Sequence, residues 1–329
     1  LAGRELESLH QITVTTSSGE RGLSAQTLEP PPGPLLSRIA TVSDLHIGAR
    51  RWGFLKTMVE DDTHPELHPI RCARAAISDA IEWGAELIVI KGDAAHHRHP
   101  DNFAELGRLV DEFPDVPMVL IPGNHDVDLS HSRVDLPETI GSRRLPYTRG
   151  VHHLDLDGVR VLVADTTIDG KGEGTIAGVK DGLLGAVREA DRPVLMAVHH
   201  HFERHPITTY WPPGIARDEA VPFLDQLASI GADVLVTSGH SHRNRTRSHR
   251  SNGTSLTITE VASTRDWPGV WAGYAVHEGG IRQVVRRVAA PDAVQWHEYS
   301  RGALLGAWDF WSPGPLGHRC FTQPWRSSG

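Results

Sequence analysis

The sequence predicts a layered α/β fold with mixed sheets, and three patterns among its 329 residues support this prediction. Short apolar runs, such as residues 86–93, alternate with segments whose apolar residues recur at helical spacing. Buried strands that alternate with helices are typical of layered α/β packing. Two apolar runs flank Asp157-Gly158, which is a hairpin signal, and three strand-like runs close the main domain. These later hairpins predict sheets that are mixed rather than purely parallel.

The first predicted element is a β-hairpin. Residues 12–16 and 22–28 have strand patterns, and a Ser-Ser-Gly turn separates them. The pattern resembles the last two strands of a fibronectin type III domain or of the N-terminal β-module of purple acid phosphatases, and an ordinary β-arm on the main domain is the alternative. The proline-rich segment that follows is a stiff connector. Residues 1–34 are therefore predicted to form a β-hairpin arm, or the remnant of a β-module, with a linker.

The main domain is predicted to span residues 35–290. An apolar stripe that begins at Ile70 and is closed by Gly84 predicts its first helix. Further helices are expected at residues 102–113, 179–190 and 218–230. Strand patterns occupy residues 37–44, 86–93, 117–126, 151–156, 159–165, 193–199, 234–242, 254–261, 271–276 and 281–288. Residues 291–329 are rich in Trp, Gly and Pro and lack periodicity, which predicts a C-terminal tail that wraps the surface.

Composition argues against several classes of protein. The net charge of −8 disfavours a nucleic-acid-binding surface. No run of about 18 apolar residues is present, so no membrane span is expected. Cys72 and Cys320 are too few for a disulfide framework, and the position of Cys72 in the helical stripe predicts a buried free thiol. The chain begins at Leu1 without a signal peptide, which favours the cytoplasm and leaves open an export signal on a longer chain.

Residues that can bind metal ions follow five apolar strands: Asp44 and His46, Asp93, Asn124 and His125, His199, and His240 and His242. An Asp and a His two residues apart at a strand end can point to the same side, because strand side chains alternate. In open α/β sheets, ligand sites lie at the carboxyl ends of the strands. Glycines that permit tight turns come just before the polar residues, at Gly92, Gly123 and Gly239. Mixed nitrogen and oxygen ligands of this kind suit divalent transition metals.

The ordered motifs resemble those of the calcineurin-like metallophosphoesterases over residues 38–262. The matching motifs are Asp44-x-His46, Gly92-Asp93, Gly123-Asn-His-Asp126, His199 and Gly239-His-Ser-His242. The resemblance implies the layered β-sandwich of that family, with mixed sheets flanked by helices. It also implies two divalent transition-metal ions (Mn, Fe, Zn or Co). The implied reaction is hydrolysis of phosphate esters by in-line attack of a hydroxide that bridges the two metals.

The resemblance also assigns roles to single residues. One metal would be held by Asp44, His46 and His242, the other by Asn124, His199 and His240, and both by Asp93. His125 would contact the phosphate or protonate the leaving group, and Asp126 would orient the ring of His125. The family often has proline soon after the histidine at position 199, whereas Phe202 and Glu203 follow here, so His200 is the alternative ligand.

The motifs look closest to those of bacterial phosphodiesterases of the cyclic-nucleotide and glycerophosphodiester type. Pro122 and Asp126 stand where the protein Ser/Thr phosphatases have Arg and Glu, which disfavours that branch. A small phosphodiester is therefore the expected substrate. A phosphomonoesterase, a nuclease and a non-catalytic scaffold on the same fold are the alternatives. The diester prediction rests partly on the absence of an arginine clamp from the motif segments, because a monoester dianion gains most from added cations.

Two groups of basic residues outside the motifs allow two interpretations each. Three histidines that follow Asp93 could line the substrate pocket or lie solvated in a loop: His96, His97 and His99. Three alternating arginines could attract phosphate or lie exposed on a β-arm: Arg243, Arg245 and Arg247. The sequence alone gives no oligomeric state.

Overall fold

The computed structural model describes residues 9–16, 19–53, 57–60, 64–127, 139–140, 145–146, 149–205 and 212–326. Two six-stranded mixed sheets dominate this part of the chain, with apolar clusters between them and on their outer faces. Helices pack on the outer face of each sheet. The predicted layered α/β fold is therefore confirmed.

Each strand that the sequence predicts lies close to an observed strand, and the described residues also contain strands that the sequence did not predict. In chain order they are β1 (Leu9–Thr16), β2 (Gly19–Gln26), β3 (Leu35–Val42), β4 (Arg51–Trp52), β5 (Met58–Val59), β6 (Leu87–Lys91), β7 (Met118–Ile121), β8 (Thr139–Ile140), β9 (Leu145–Pro146), β10 (Val151–Leu156), β11 (Val159–Ala164), β12 (Val194–Val198), β13 (Val234–Ser238), β14 (Arg245–Ser251), β15 (Thr254–Glu260), β16 (Val270–His277), β17 (Gly280–Arg287) and β18 (Cys320–Pro324). β4 and β5, and β8 and β9, form two small separate ribbons.

The four predicted helices are confirmed to within about two residues at most ends. The helices are α1 (His68–Glu82), α2 (Pro100–Asp111), α3 (Lys180–Arg188), α4 (Arg217–Ser229), α5 (Pro291–Ser300), α6 (Trp308–Trp311) and α7 (Leu316–Arg319). Proline in the first turn of α1 and α2 suits helix starts, because its missing N–H would have no partner there. Gly84, with φ of +89°, ends α1 as the sequence predicts.

Both large sheets contain a run of parallel strands, which lies at one end of the first sheet and in the centre of the second. The first sheet has the order β18-β17-β16-β3-β6-β7, and the second has the order β10-β11-β12-β13-β15-β14. β3, β6 and β7 run parallel, as do β11, β12, β13 and β15. The other neighbours in these two sheets are antiparallel. The predicted hairpin at Asp157-Gly158 joins β10 and β11.

Alternating side chains divide the core into three layers. In β6, Leu87 and Val89 point between the sheets and meet Leu195 of the second sheet. Ile88 and Ile90 point the opposite way, toward the helical face that α1 covers. Because both faces of this strand are covered, β6 is apolar along almost its whole length. The strand ends are thus fixed in position, and they determine where the residues that follow them begin.

The N-terminal segment forms a hairpin followed by a linker that contacts the main domain. β1 and β2 pair from Leu9↔Gln26 to Thr16↔Gly19, so the predicted hairpin is present. The proline-rich linker contacts the main domain through the Gly279 N–H, which donates to the Pro32 carbonyl at 2.9 Å. Both interpretations of the arm, and the domain boundaries near residues 34 and 290, remain predictions.

Residues 291–326 contain more regular structure than the aperiodic tail that the sequence predicts. α5 packs on α1, where the ring of Trp296 stacks on His68 with centroids 3.5 Å apart. β18 pairs antiparallel with β17 and becomes an edge strand of the first sheet. The side chains of β18 are half-buried or exposed, so its sequence lacks the strong apolar pattern of an inner strand. Among the residues described, no helix combines the length and apolar character needed to span a bilayer.

Candidate metal centre

The predicted metal-binding residues meet at one edge of the two sheets. Loops after β3, β6, β7, β12 and β13 converge there, and backbone hydrogen bonds join them. The Asp44 N–H donates to the Gly92 carbonyl at 3.1 Å, and the His46 N–H donates to the Asp93 carbonyl at 2.7 Å. The Gly239 N–H donates to the His199 carbonyl at 3.0 Å, which joins two loops of the second sheet. Backbone hydrogen bonds between distant segments therefore fix the relative positions of these loops.

Glycines allow these loops to approach closely. A Cβ atom at Gly123 would lie 2.2 Å from the backbone nitrogen of Asp93, and one at Gly239 would lie 1.9 Å from the Ser43 hydroxyl. Both contacts are too short for any side chain. The prediction that these glycines permit close backbone approach is confirmed.

Five of the predicted ligands have left-handed backbone conformations. Their φ values are +56°, +50°, +48°, +66° and +49° for Asp44, His46, Asp93, His240 and His242. Such conformations are uncommon outside glycine, although Asp and His tolerate them better than most residues. Each costs on the order of 1–3 kcal/mol and persists only where the surrounding structure imposes it, often at functional sites.

The first cluster contains Asp44, His46 and His242, whose ligand atoms lie within 4.8 Å of one another. The Nε2 atom of His242 lies 3.5 Å from Asp44 Oδ1, and its Nδ1 atom lies 2.8 Å from Asp266 Oδ1. With the Nδ1 proton donated to Asp266, the Nε2 lone pair faces the cluster. Asp266 is fully buried, and the sequence did not predict it because it belongs to no strand-end motif.

The second cluster contains His199, His200 and His240, again with ligand atoms within 4.8 Å. His199 Nδ1 donates to the Lys91 carbonyl at 2.7 Å, which leaves its Nε2 atom 3.3 Å from Asn124 Oδ1. His240 uses Nε2 to donate to the Pro213 carbonyl at 3.0 Å, so its Nδ1 atom carries the lone pair. Asn124 therefore lies beside this cluster, as the predicted set requires.

His200 lies in the same cluster, so proximity alone does not separate the two candidate ligands. Its Nδ1 atom lies 2.8 Å from the Thr166 hydroxyl. His199 is the better candidate because its Nε2 atom lies close to both Asn124 and Asp93. His201 instead bonds Glu203 at 3.2 Å.

The carboxylate of Asp93 lies between the two clusters. Its Oδ2 atom is 3.6 Å from His46 Nε2, and its Oδ1 atom is 3.5 Å from His199 Nε2. Each oxygen thus faces one cluster. This is the arrangement that a carboxylate shared by two metal ions needs.

The two predicted catalytic residues have different surroundings. The ring of His125 lies 4.7 Å from that of His46, and its backbone N–H donates to Asp93 Oδ1 at 2.8 Å. Asp126 is fully buried, and its carboxylate accepts from the N–H groups of Gly123, Ala94 and Ala95 at 2.8–3.2 Å. The Asp126 carboxylate thus joins the backbones that follow β6 and β7, and its role in orienting the His125 ring stays a prediction.

The site keeps several basic side chains neutral. Burial lowers the pKa of His46, and nearby Arg265 lowers that pKa further. Burial also lowers the pKa of His240. Neutral imidazole is the form that binds metal ions. For His242, burial lowers the pKa, but the carboxylates of Asp266 and Asp44 outweigh it, so the net pKa is raised.

Lys91 is a buried basic residue beneath the site. Its Nζ atom donates to the Thr237 hydroxyl at 3.0 Å and to the Ser238 carbonyl at 2.8 Å. Burial lowers the pKa of Lys91 to about 7, and Asp44 offsets only part of that effect. These bonds join β6 of the first sheet to β13 of the second, behind the two clusters.

A cavity of about 790 Å³ opens beside the first cluster. His46, His125 and His242 form part of its wall, together with Arg265. Arg265 is only 3% exposed, and its Nη2 atom lies 3.6 Å from Asp266 Oδ1. The motif segments hold no arginine clamp, but Arg265 brings a guanidinium to the cavity from outside them. Arg265 escaped prediction because it lies in the loop after β15, outside every motif.

The other basic residues have definite positions as well. His96 lines the cavity and stacks on His125 with centroids 5.4 Å apart, so the solvated-loop interpretation is wrong for this residue. His99 is exposed and accepts from the Asp101 N–H at the start of α2. Arg247 pairs with buried Glu260, and Arg245 lies 4.0 Å from the same carboxylate. Neither of these two arginines is exposed on a free arm.

The sequence profile of the calcineurin-like phosphoesterase family matches residues 37–244. This is more than half of the chain, and the chain belongs to that family. It is accordingly a metal-dependent phosphoesterase by class, with clusters of His and Asp that could hold metal ions. No curated protein sequence matches the chain significantly.

Solved structures show the same fold at low sequence identity. A dimetal phosphatase from Danio rerio is 13% identical, with 78% of this chain and 98% of that chain covered and a TM-score of 0.54. The purple acid phosphatase PPD1 from yellow lupin seeds is 12% identical, with 86% of this chain and 57% of that chain covered and a TM-score of 0.51. These similarities support the metallophosphoesterase fold.

Proposed function

We propose that the chain holds two divalent transition-metal ions and hydrolyses small phosphate esters. The carboxylate of Asp93 faces both clusters, at 3.6 Å from His46 Nε2 and 3.5 Å from His199 Nε2. That observation carries the proposal. The assigned ligands are Asp44, His46 and His242 for one ion and Asn124, His199 and His240 for the other, with Asp93 shared.

The chemistry of the donor atoms fits such ions. Imidazole nitrogens, carboxylate oxygens and one amide oxygen suit Mn, Fe, Zn or Co. Hydrogen bonds to Asp266, Lys91 and Pro213 fix which nitrogen of three histidines carries the lone pair. Ligands held in this way need little rearrangement to bind a metal.

When bound, two ions of this kind would acidify water and stabilise the charge on the attacking and leaving oxygens. The side chains around the cavity would supply the remaining functions. His125 lies on the cavity wall, where its ring would contact a phosphate oxygen or protonate the leaving oxygen. Arg265, on the same wall, would add positive charge for the phosphate. Asp126 would keep the loop of His125 in place through its three backbone hydrogen bonds.

Within this class we propose phosphodiesters as the substrates. The motif resemblance and the size of the cavity support this choice, because about 790 Å³ leaves room for a second substituent. A phosphomonoesterase is the second candidate, and buried Arg265 favours it, because a dianion gains more than a monoanion from an added cation. The net charge of −8 disfavours nucleic acid as a substrate.

Metal content and substrate preference test the two levels of this proposal separately. Elemental analysis of active protein should show about two equivalents of metal per chain, and at most one equivalent would contradict the dinuclear site. The ratio of kcat/KM for bis-p-nitrophenyl phosphate and p-nitrophenyl phosphate, measured with the same metal, tests the diester proposal. A monoester preference of about tenfold or more would refute the diester proposal and leave the metal site intact.

A further inference from the structure

We propose that the cavity beside the metal centre contains a subsite for a flat aromatic substituent of the phosphate ester. The subsite rests on the proposed function, since it assumes that the phosphate binds at the two clusters. Its walls come mainly from the C-terminal segment, which the motifs of the family do not include. The substrate class that follows is a phosphate ester carrying a planar ring system.

The cavity has one polar side and one apolar side. His46, His125, His242 and Arg265 form the polar side next to the metal ligands. The apolar side is largely aromatic and consists of Trp52, Ala307, Trp308, Phe310 and Trp311. Cavities of a few hundred Å³ or more with apolar walls and a few polar groups are typical of small-molecule sites. A phosphate group alone would occupy only the polar end of 790 Å³.

Hydrogen bonds hold the aromatic side at a fixed position relative to the metal centre. The indole N–H of Trp308 lies 3.1 Å from the Trp267 carbonyl and 3.3 Å from Asp266 Oδ2. The other oxygen of Asp266 bonds the ring of His242 at 2.8 Å. One buried carboxylate thus contacts both a proposed metal ligand and the aromatic wall. Trp52 packs edge-on against Trp308, with ring centroids 5.3 Å apart.

Part of the aromatic side is unusually open to solvent. Phe310 is 76% exposed, and Leu304 at the same cavity is 46% exposed. A bound apolar substituent would cover these side chains and remove their surface from water. Several flat, rigid rings favour a planar partner over a flexible chain, because stacking adds to simple burial. The guanidinium of Arg51, which also lines the cavity, can stack on a planar ring in the same way.

Three phosphonates that share one head group test the subsite: methylphosphonate, cyclohexylmethylphosphonate and 2-naphthylmethylphosphonate. Their Kd values are measured on the full, Mn-loaded protein by calorimetry and by quenching of tryptophan fluorescence. We expect the naphthyl compound to bind at least about tenfold more tightly than methylphosphonate and at least about threefold more tightly than the cyclohexyl compound.

Two variants of exposed aromatic residues provide a matched comparison. Phe310→Ala removes a ring that lines the cavity, and it should lower the naphthyl-to-methyl affinity ratio by about threefold or more. Tyr299→Ala removes a ring that is 50% exposed and does not line the cavity, and it should leave that ratio unchanged. Equal loss in both variants would contradict a local subsite.

The outcomes separate the subsite from the proposed function. If methylphosphonate binds in a Mn-dependent manner and all three Kd values agree within about twofold, the subsite is refuted and the metal site stands. Equal affinity for the cyclohexyl and naphthyl compounds would refute the preference for a planar ring. Failure of all three compounds to bind the Mn-loaded protein would refute both proposals.

Discussion

The two sides of the cavity are built in different ways. The metal-binding side comes from short loops that directly follow buried parallel strands, so each ligand is placed by the strand before it. The aromatic side comes mainly from residues near 300–311, which neither follow a buried strand nor form one long helix. Contacts between distant segments, such as Trp308 with Asp266, place this second side. The proposed metal ligands therefore come from local motifs, whereas the shape of the cavity around them depends on tertiary packing.

The largest effect is expected from removal of the Asp93 carboxylate, which faces both clusters. Asp93→Ala should abolish activity and lower metal content at both clusters, because Asp93 faces His46 and His199 at once. His125→Ala should retain its metals and lose about 10²–10⁴-fold in kcat, as expected for loss of an acid or a phosphate contact. Steady-state kinetics and elemental analysis measure both effects. Equal residual rates with full metal content in both variants would contradict the assigned roles.

Asp266 is where the two sides meet, so its substitution should affect both. Asp266→Asn would weaken the hydrogen bond that orients His242, and the affinity for metal should fall by about 10–100-fold. Competition with a chromogenic chelator measures this change. Asp225→Asn is the control, because Asp225 of α4 bonds His249 of β14 at 2.9 Å and neither residue lines the cavity. Unchanged metal affinity in Asp266→Asn would show that His242 does not depend on this contact.

Acid should destabilise the contacts of α5 with the main domain. Burial lowers the pKa of His68 and of His297 to about 4, from an ordinary value of 6.5. Between these values the unfolded chain binds more protons than the folded chain, so the free energy of unfolding should fall as the pH drops from 6.5 toward 4. At pH 5, each histidine should lower the free energy of unfolding by on the order of 2 kcal/mol relative to neutral pH.

Urea unfolding at several pH values, with saturating metal, measures this dependence. His68→Gln should reduce the slope of the free energy of unfolding against pH between pH 6.5 and 4. The reduction should correspond to up to about one bound proton, since the variant lacks one of the two groups. His153→Gln, at an exposed position of β10, should leave the slope as it is. A variant lacking His68 that keeps the full slope would show that the dependence arises elsewhere.

The smallest effect is expected for the surface ion pair of the C-terminal segment. Arg301 contacts both oxygens of Asp309 at 2.7 and 2.8 Å, and both side chains are about 40% exposed. Arg301→Ala should cost only about 0–1 kcal/mol in the free energy of unfolding. Arg247→Ala, which removes the guanidinium nearest to buried Glu260, should cost more, about 3 kcal/mol. Similar losses in the two variants would show that exposed pairs hold the C-terminal segment more strongly than solvent screening allows.

Much of the fold could be predicted because its signals are local. Buried strands such as β6 are apolar on both faces, and α1 carries an apolar stripe that Gly84 ends. The convergence of Asp44, Asp93 and the other strand-end residues follows from the rule that ligand sites lie at the carboxyl ends of strands. α5 and β18 escaped prediction because their burial is partial and their patterns are weak.

The features of the site that the sequence did not predict arise from contacts that sequence neighbours do not reveal. Asp126 is next to His125 in the chain, yet its carboxylate turns away to three backbone N–H groups. Arg265 and Asp266 lie in a loop without a recognisable motif, and only the packing of that loop brings them to the cavity. No periodicity or spacing in the sequence encodes such a position.

The left-handed backbone at five of the proposed ligands limits how this site could evolve. Asp, Asn and His are the non-glycine residues that tolerate this conformation best. Replacing Asp44 or His242 by Glu or Cys would therefore change the donor atom and also strain the backbone. Such exchanges are an obvious route to a different metal preference, and here each meets two penalties together. The backbone thus restricts which residue types can serve as ligands at this centre, independently of any selection on catalysis.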